Sequence, residues 1–187
     1  MKNVNLYICL FVALFIFFNN TMAYEEPDYK IVHQTKKFEI RYYEKRIVVQ
    51  TKFDRENSGF MKLFNYISGS NNHSEKIKMT TPVTMLKIGE DTFMQFSLPS
   101  KFNSTNTPLP NENSVEISYI DAGHFAVSRY SGRTTDENFH KNANILLKEL
   151  EKKSIIIKSS PIKAIYDGPF TIPLFRRNEV MFLVDWN

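Results

Sequence analysis

The chain has 187 residues, a formal net charge of +4 and a single cysteine, Cys9. A chain of that length builds one domain with a sufficient core. The mild charge gives no reason to propose nucleic acid, whose binders concentrate Lys and Arg on one face, and one cysteine excludes an internal disulfide.

Residues 1–23 have the pattern of a cleavable export signal. Lys2 supplies the positive start, Leu6 to Phe18 is an uncharged apolar run, and Thr21-Met22-Ala23 is a small-residue cleavage site. The run falls well short of the ~20 residues that span a bilayer as a helix. The alternative is an uncleaved anchor. Cleavage leaves one domain, residues 24–187, exported to a periplasm or secreted, with no stable membrane span. Cys9 departs with the leader, so the mature chain offers no thiolate to a metal.

After an acidic entry at 24–28, Lys30 to Thr35 and Phe38 to Tyr43 read as extended. The second run alternates apolar and polar positions, the mark of a half-buried strand. Ile47 to Phe53 is a third strand, rich in β-branched residues. Between about Asp54 and Ile67 the period changes. Phe60, Leu63, Phe64 and Ile67 recur at helical spacing, and Gly69 ends the helix before the polar turn Ser70 to Ser74. Lys76 to Thr81 and Pro82 to Ile88 are extended, Thr92 to Leu98 is a strand, and the proline-bearing segment 101–113 is a surface loop.

The order then repeats. Val115 to Ile120 and Phe125 to Tyr130 are strands, with His124 in the turn between them. Thr134 and Glu137 have capping-box spacing and open a second helix, which runs to about Lys153 on an apolar stripe of Phe139, Ala143, Leu146, Leu147 and Leu150. Extended pieces at Ile155 to Ile157 and Ile162 to Tyr166 follow, and the chain closes on the strand Glu179 to Val184. The segment Phe38 to Glu44 aligns over Val115 to Asp121, and Ile47-Val48-Val49 over Phe125-Ala126-Val127. The expected fold is α+β: duplicated β-β-α-β-β units forming a distorted antiparallel β-barrel with two helices packed on it.

Catalytic patterns are absent from the sequence. His33, His73, His124 and His140 have no metal-ligand spacing, and no Gly-x-Ser-x-Gly elbow or phosphate-cradling glycine loop occurs, so the expectation is a protein that is not an enzyme. His73 is the functional candidate among the histidines, because it lies in the turn beside the first helix. What stands out is apolar excess: the first helix carries Phe60, Met61, Leu63, Phe64, Tyr66 and Ile67, more than one narrow stripe accounts for. The surplus either fills a core or lines a groove for a flat apolar ligand.

The run Phe60 to Gly69, followed by Lys76-Ile77-Lys78-Met79-Thr80-Thr81-Pro82-Val83, resembles the SOUL haem-binding protein family. The pattern continues in Phe96-Ser97-Leu98-Pro99, Arg129-Tyr130-Ser131-Gly132 and Arg176-Arg177-Asn178-Glu179-Val180. The resemblance covers Tyr29 to Val184, with the motifs in order. It implies non-covalent binding of haem or a related tetrapyrrole in a groove beside the first helix, with Phe60, Leu63 and Phe64 as its wall. Basic side chains would meet the propionates. This chain has Asn57 and Ile172 where the resemblance implies basic residues, leaving Arg55 and Lys62 to substitute. Iron ligation occurs in only some members, and His73 is the candidate axial ligand here. Binding without a strong axial bond implies micromolar or weaker affinity, which suits a carrier or buffer. The rival reading is a non-enzymatic sensor or interaction module for another hydrophobic small molecule.

Overall fold

The alternation in the last strand sorts its side chains onto two faces. Val180, Phe182 and Val184 enter one core cluster, while Met181 and Leu183 enter another behind it. A sheet buried on both faces at this point needs a layer on each side, and the rest of the chain supplies them. The computed structural model describes residues 24–53 and 59–186; the expected export signal lies outside the described residues.

Nine strands and two helices are described: β1 (Tyr29–Gln34), β2 (Glu39–Tyr43), β3 (Arg46–Lys52), α1 (Gly59–Ile67), β4 (Val83–Ile88), β5 (Asp91–Ser97), β6 (Val115–Ile120), β7 (Gly123–Tyr130), α2 (Asp136–Lys152), β8 (Ile162–Ile165) and β9 (Asn178–Val184). They form one sheet in the order β1-β2-β7-β9-β8-β4-β5-β3-β6, and every pair within it is antiparallel. The sheet curls into a half-barrel, so the α+β architecture expected from the sequence is present. With β1 set aside, exchanging β2-β3-α1-β4-β5 for β6-β7-α2-β8-β9 maps the strand order onto its own reverse. The first strand of each set pairs into the other set: β2 lies on β7 and β6 lies on β3.

Each helix covers one end of the sheet. α1 packs on β3, β5 and β6, burying Leu63, Tyr66 and Ile67 with Val49, Phe96 and Val115. α2 packs on β7 and β9, burying Phe139, Ala143, Leu146 and Leu150 with Ala126, Val180 and Phe182. Each fully buried Leu or Phe contributes about 1.5–3 kcal/mol.

Three expectations change in detail. The cap of α2 is Thr135, whose hydroxyl accepts from the Asn138 backbone N–H at 3.3 Å, so the helix starts one residue after the Thr134–Glu137 reading. The reason is Asn138, whose side-chain amide donates to the carbonyls of Ser131 and Arg133 and fixes the preceding turn. Lys76 to Thr81 forms no strand; Thr80 makes one isolated bridge to Glu25. His124 lies inside β7, opposite Tyr42 and Val184, and not in a turn.

Candidate functional site

α1 begins close against the sheet because its first residue is glycine. A Cβ at Gly59 would lie 3.3 Å from both the Phe53 ring and the Thr51 methyl. Its far end is closed by Gly69, whose φ of +116° turns the chain, while the Ser70 N–H donates back to the Asn65 carbonyl at 3.0 Å. Tyr66 is buried and donates its hydroxyl to the Pro108 carbonyl at 2.8 Å, tying the helix to the 101–113 loop.

With about 100° between successive residues, this anchoring sets what the rest of the helix presents. Leu63, Tyr66 and Ile67 point into the core. Phe60 and Phe64 fall on one flank, where their rings stack at 6.0 Å with 13° between planes. Phe60 is 40% exposed and Phe64 41%, and the buried Phe96 supports Phe60 edge-on at 5.3 Å. Met61 is also exposed. Leu63 is 0% exposed, so it supports this wall from beneath and offers no surface of its own.

The polar residues expected to complete the groove are elsewhere. Lys62 lies about 160° around the helix from Phe64. It lines a cavity of about 320 Å³ with Tyr66, Ser70, Pro110 and Glu112, its ammonium 3.8 Å from the Glu112 carboxylate. Arg55 and Asn57 lie outside the described residues. His73 is exposed in the turn beyond the C-terminal end of α1, its backbone N–H donating to Asn71 Oδ1 at 3.2 Å. Asn71 is the buried hub of that turn: its amide donates to the Tyr66 and Glu75 carbonyls. Ile172 lies beside the start of α2, in a hollow it shares with Arg133 and Thr135. Among the described residues, no group of three His, Cys, Asp or Glu is placed to hold a metal ion.

The remaining motifs are joined in pairs and build scaffold. Thr80 donates its hydroxyl to the Ser97 carbonyl at 2.5 Å, linking Lys76–Val83 to Phe96–Pro99. Asn178 donates to the Gly132 carbonyl at 3.2 Å, linking Arg129–Gly132 to Arg176–Val180. Glu179 is fully buried and accepts from both terminal nitrogens of Arg41 (2.9 and 3.3 Å), from the Tyr166 hydroxyl (2.8 Å) and from Arg177 Nε (3.1 Å). Arg177 continues to Glu26, which it reaches bidentately at 2.8 and 3.1 Å. Burial works against the Arg41 charge, but its bond to Glu179 outweighs that and raises its pKa; burial, then the Glu179 charge, pushes the Tyr166 phenol up. Sequence reasoning missed this network, because Arg41 and Glu179 stand 138 residues apart.

A single α+β domain whose helix leaves a stacked aromatic pair half-exposed defines the class: a curled antiparallel sheet offering an apolar surface to a flat ligand. The SOUL heme-binding protein family model matches residues 24–183, and the chain belongs to that family. Heme-binding protein 1 of Xenopus laevis is 26% identical over 176 residues, covering 85% of this chain and 92% of that protein. Among solved structures, the EcmrR C-terminal domain superposes with a TM-score of 0.60 at 16% identity, covering 85% of this chain and 99% of that one. A hydrolase from Listeria innocua superposes at 0.56 with 8% identity, covering 82% and 94%. At these identities the two structures share the fold alone.

Proposed function

We propose that the protein binds haem or a related tetrapyrrole on the flank of α1 bearing Phe60 and Phe64, and acts as an exported carrier or buffer. The observation that carries the reading is the stacked pair itself. Two near-parallel rings sit half in water on the helix whose sequence belongs to the family pattern, and free exposure of that much aromatic surface is unfavourable. Haem offers two apolar faces and an anionic edge, so its face fits this wall. Phe60, Phe64 and Met61 would hold it, with Leu63 and Phe96 keeping the wall rigid. Once bound, haem adds visible absorbance and a redox-active iron.

Nothing ties His73 to the wall, so affinity comes from packing, at the micromolar level or weaker, about −8 kcal/mol. Ready exchange suits hand-over better than catalysis. Export is supported by the leader pattern and by the family match, which starts at Tyr24, directly after the expected cleavage site. Titration of hemin followed in the Soret band is expected to saturate; a linear, non-saturating response would overturn the reading. Mature protein recovered outside the cytoplasm is expected to begin at Tyr24.

A further inference from the structure

Arg46, the first residue of β3, is the buried cation left over when the interior ion pairs are assigned. Arg41 has Glu39 and Glu179, Arg177 has Glu26 and Glu179, and Lys163 has Asp136. Arg46 lies against aromatic faces, its guanidinium carbon 4.7 Å from the Tyr43 ring centroid and 5.5 Å from that of Phe125. Its Nε and Nη1 are both buried and have no hydrogen-bond partner. A guanidinium in that state costs several kcal/mol relative to a paired one, so its retention calls for a partner.

The surroundings have room for one. Arg46 lines a cavity of about 690 Å³ whose apolar wall is Ile47, Leu98, Phe102 and Tyr119. That volume is in the range of ligand sites, about 300–1,000 Å³. The segment 24–28 forms one side. It is held there by the Glu25 carbonyl, which accepts from the Thr81 N–H at 2.9 Å, and by the Glu25 carboxylate, which accepts from the Ser100 N–H at 2.6 Å. A second space of about 20 Å³ also touches Arg46, beside Tyr43, Tyr166 and Met181. It holds roughly one water, too little for a polar cluster.

We propose that this cavity is a second binding site, which takes a monocarboxylate with an apolar body and seats the carboxylate on Arg46. A charged partner answers the orphaned N–H groups, and guanidinium–carboxylate pairing is strong when water is excluded. The apolar wall answers the rest of the molecule. The choice of a single negative charge follows from the rim, where Glu25, Glu26, Asp28 and Glu44 repel a polyanion such as a phosphate ester. The site is separate from the α1 wall and does not rest on haem binding.

The test is calorimetric titration of the whole exported chain with sodium decanoate, alongside decanol and inorganic phosphate. Decanoate is expected to bind saturably, and at least tenfold more tightly than either control. Arg46→Met is expected to lower decanoate affinity tenfold or more while raising the Tm of the ligand-free protein, because it removes an unpaired buried charge. Arg46→Lys, which keeps the charge without the planar donors, provides a second variant with an expected three- to tenfold loss. Phe60→Asp is expected to leave decanoate binding unchanged, and Arg46→Met to leave the hemin titration unchanged. Equal decanoate affinity in wild type and both Arg46 variants overturns the proposal, as does binding of phosphate in preference to decanoate. No decanoate binding at all also overturns it and assigns the orphaned nitrogens to enclosed water.

Discussion

Arg41 on β2 reaches Glu179 on β9 across the intervening strand β7, with Nη1 to Oε2 at 2.9 Å. Glu179 is 0% exposed, and this pair with Tyr166 and Arg177 joins β2, β9, the segment after β8 and, through Glu26, the N-terminal segment. Glu179→Ala strands two guanidinium groups in the interior. Breaking a buried pair from one side costs about 3–5 kcal/mol, so the Tm is expected to fall by roughly 10 °C. Glu179→Gln keeps one acceptor and is expected to lose roughly half as much. Thermal unfolding by circular dichroism measures both; an unchanged Tm in Glu179→Ala would remove the network from the account of stability.

The α1 wall gives the second prediction. At 40% exposure, Phe60 leaves roughly 80 Å² of ring to a ligand, about 2 kcal/mol at ~25 cal/mol/Å². Phe60→Ala is expected to weaken hemin binding by about tenfold, and Phe60→Asp by more, since a carboxylate would then face the porphyrin. His73→Ala is expected to leave both affinity and Soret position unchanged, because His73 sits in the turn past the end of the helix. A shifted Soret band in that variant would assign His73 to the iron.

How far the sequence foretells this site is set by the range of the interactions. Period-two alternation in β2 and the stripe of α2 are local, and both are borne out. On α1 the spacing groups Phe60, Leu63, Phe64 and Ile67 into one stripe, whereas the structure buries Leu63, Tyr66 and Ile67 and leaves Phe60 and Phe64 in water. An arc of hydrophobic residues wider than the sheet can cover has no local mark of which edge stays out; the Gly59 contacts with Phe53 and Thr51 decide it. Lys62 reads as a neighbour of the aromatic residues in sequence yet faces away from them by helix geometry. The pairing of Arg41 with Glu179 and the lack of a partner for Arg46 are properties of the assembled sheet.

Tyr66 links the stability of α1 to alkaline pH. Burial, then the nearby charge of Glu75, pushes its phenol from the ordinary 10.0 up to about 12. The folded state therefore holds the proton where the unfolded chain releases it. The resulting stability is complete below pH 10 and is lost as pH rises through about 12. Tyr66→Phe leaves the Pro108 carbonyl without its donor and is expected to cost about 1–2 kcal/mol at pH 8. Because the variant has no phenol to ionise there, the gap between the two proteins is expected to narrow from pH 10 to 12. Urea unfolding at pH 8, 10 and 11 checks this, and a constant gap would contradict it.

Acid reports on the other helix. Glu149 of α2 receives Lys37 at 2.8 Å and Lys152 at 2.9 Å on the same carboxylate oxygen, and these hydrogen bonds hold its pKa at about 2, below the ordinary 4.5. A depressed carboxylate stabilises the fold above its unfolded value and loses that contribution as pH falls from about 4.5 through about 2. Wild type is therefore expected to exceed Glu149→Gln in stability at pH 6, with the margin closing by pH 2. The ion pairs are at the surface, so the margin is small and salt-dependent. At 1 M NaCl, where the screening length is about 3 Å, it is expected to shrink at pH 6 as well. Lys37→Ala separates the two partners. It removes the link between the β1–β2 turn and α2 while leaving Lys152 in place, so the Glu149 carboxyl is expected to titrate between about 2 and 4.5 when followed by carbon NMR. A titration unmoved by Lys37→Ala would show that Lys152 alone sets the charge at this end of the helix.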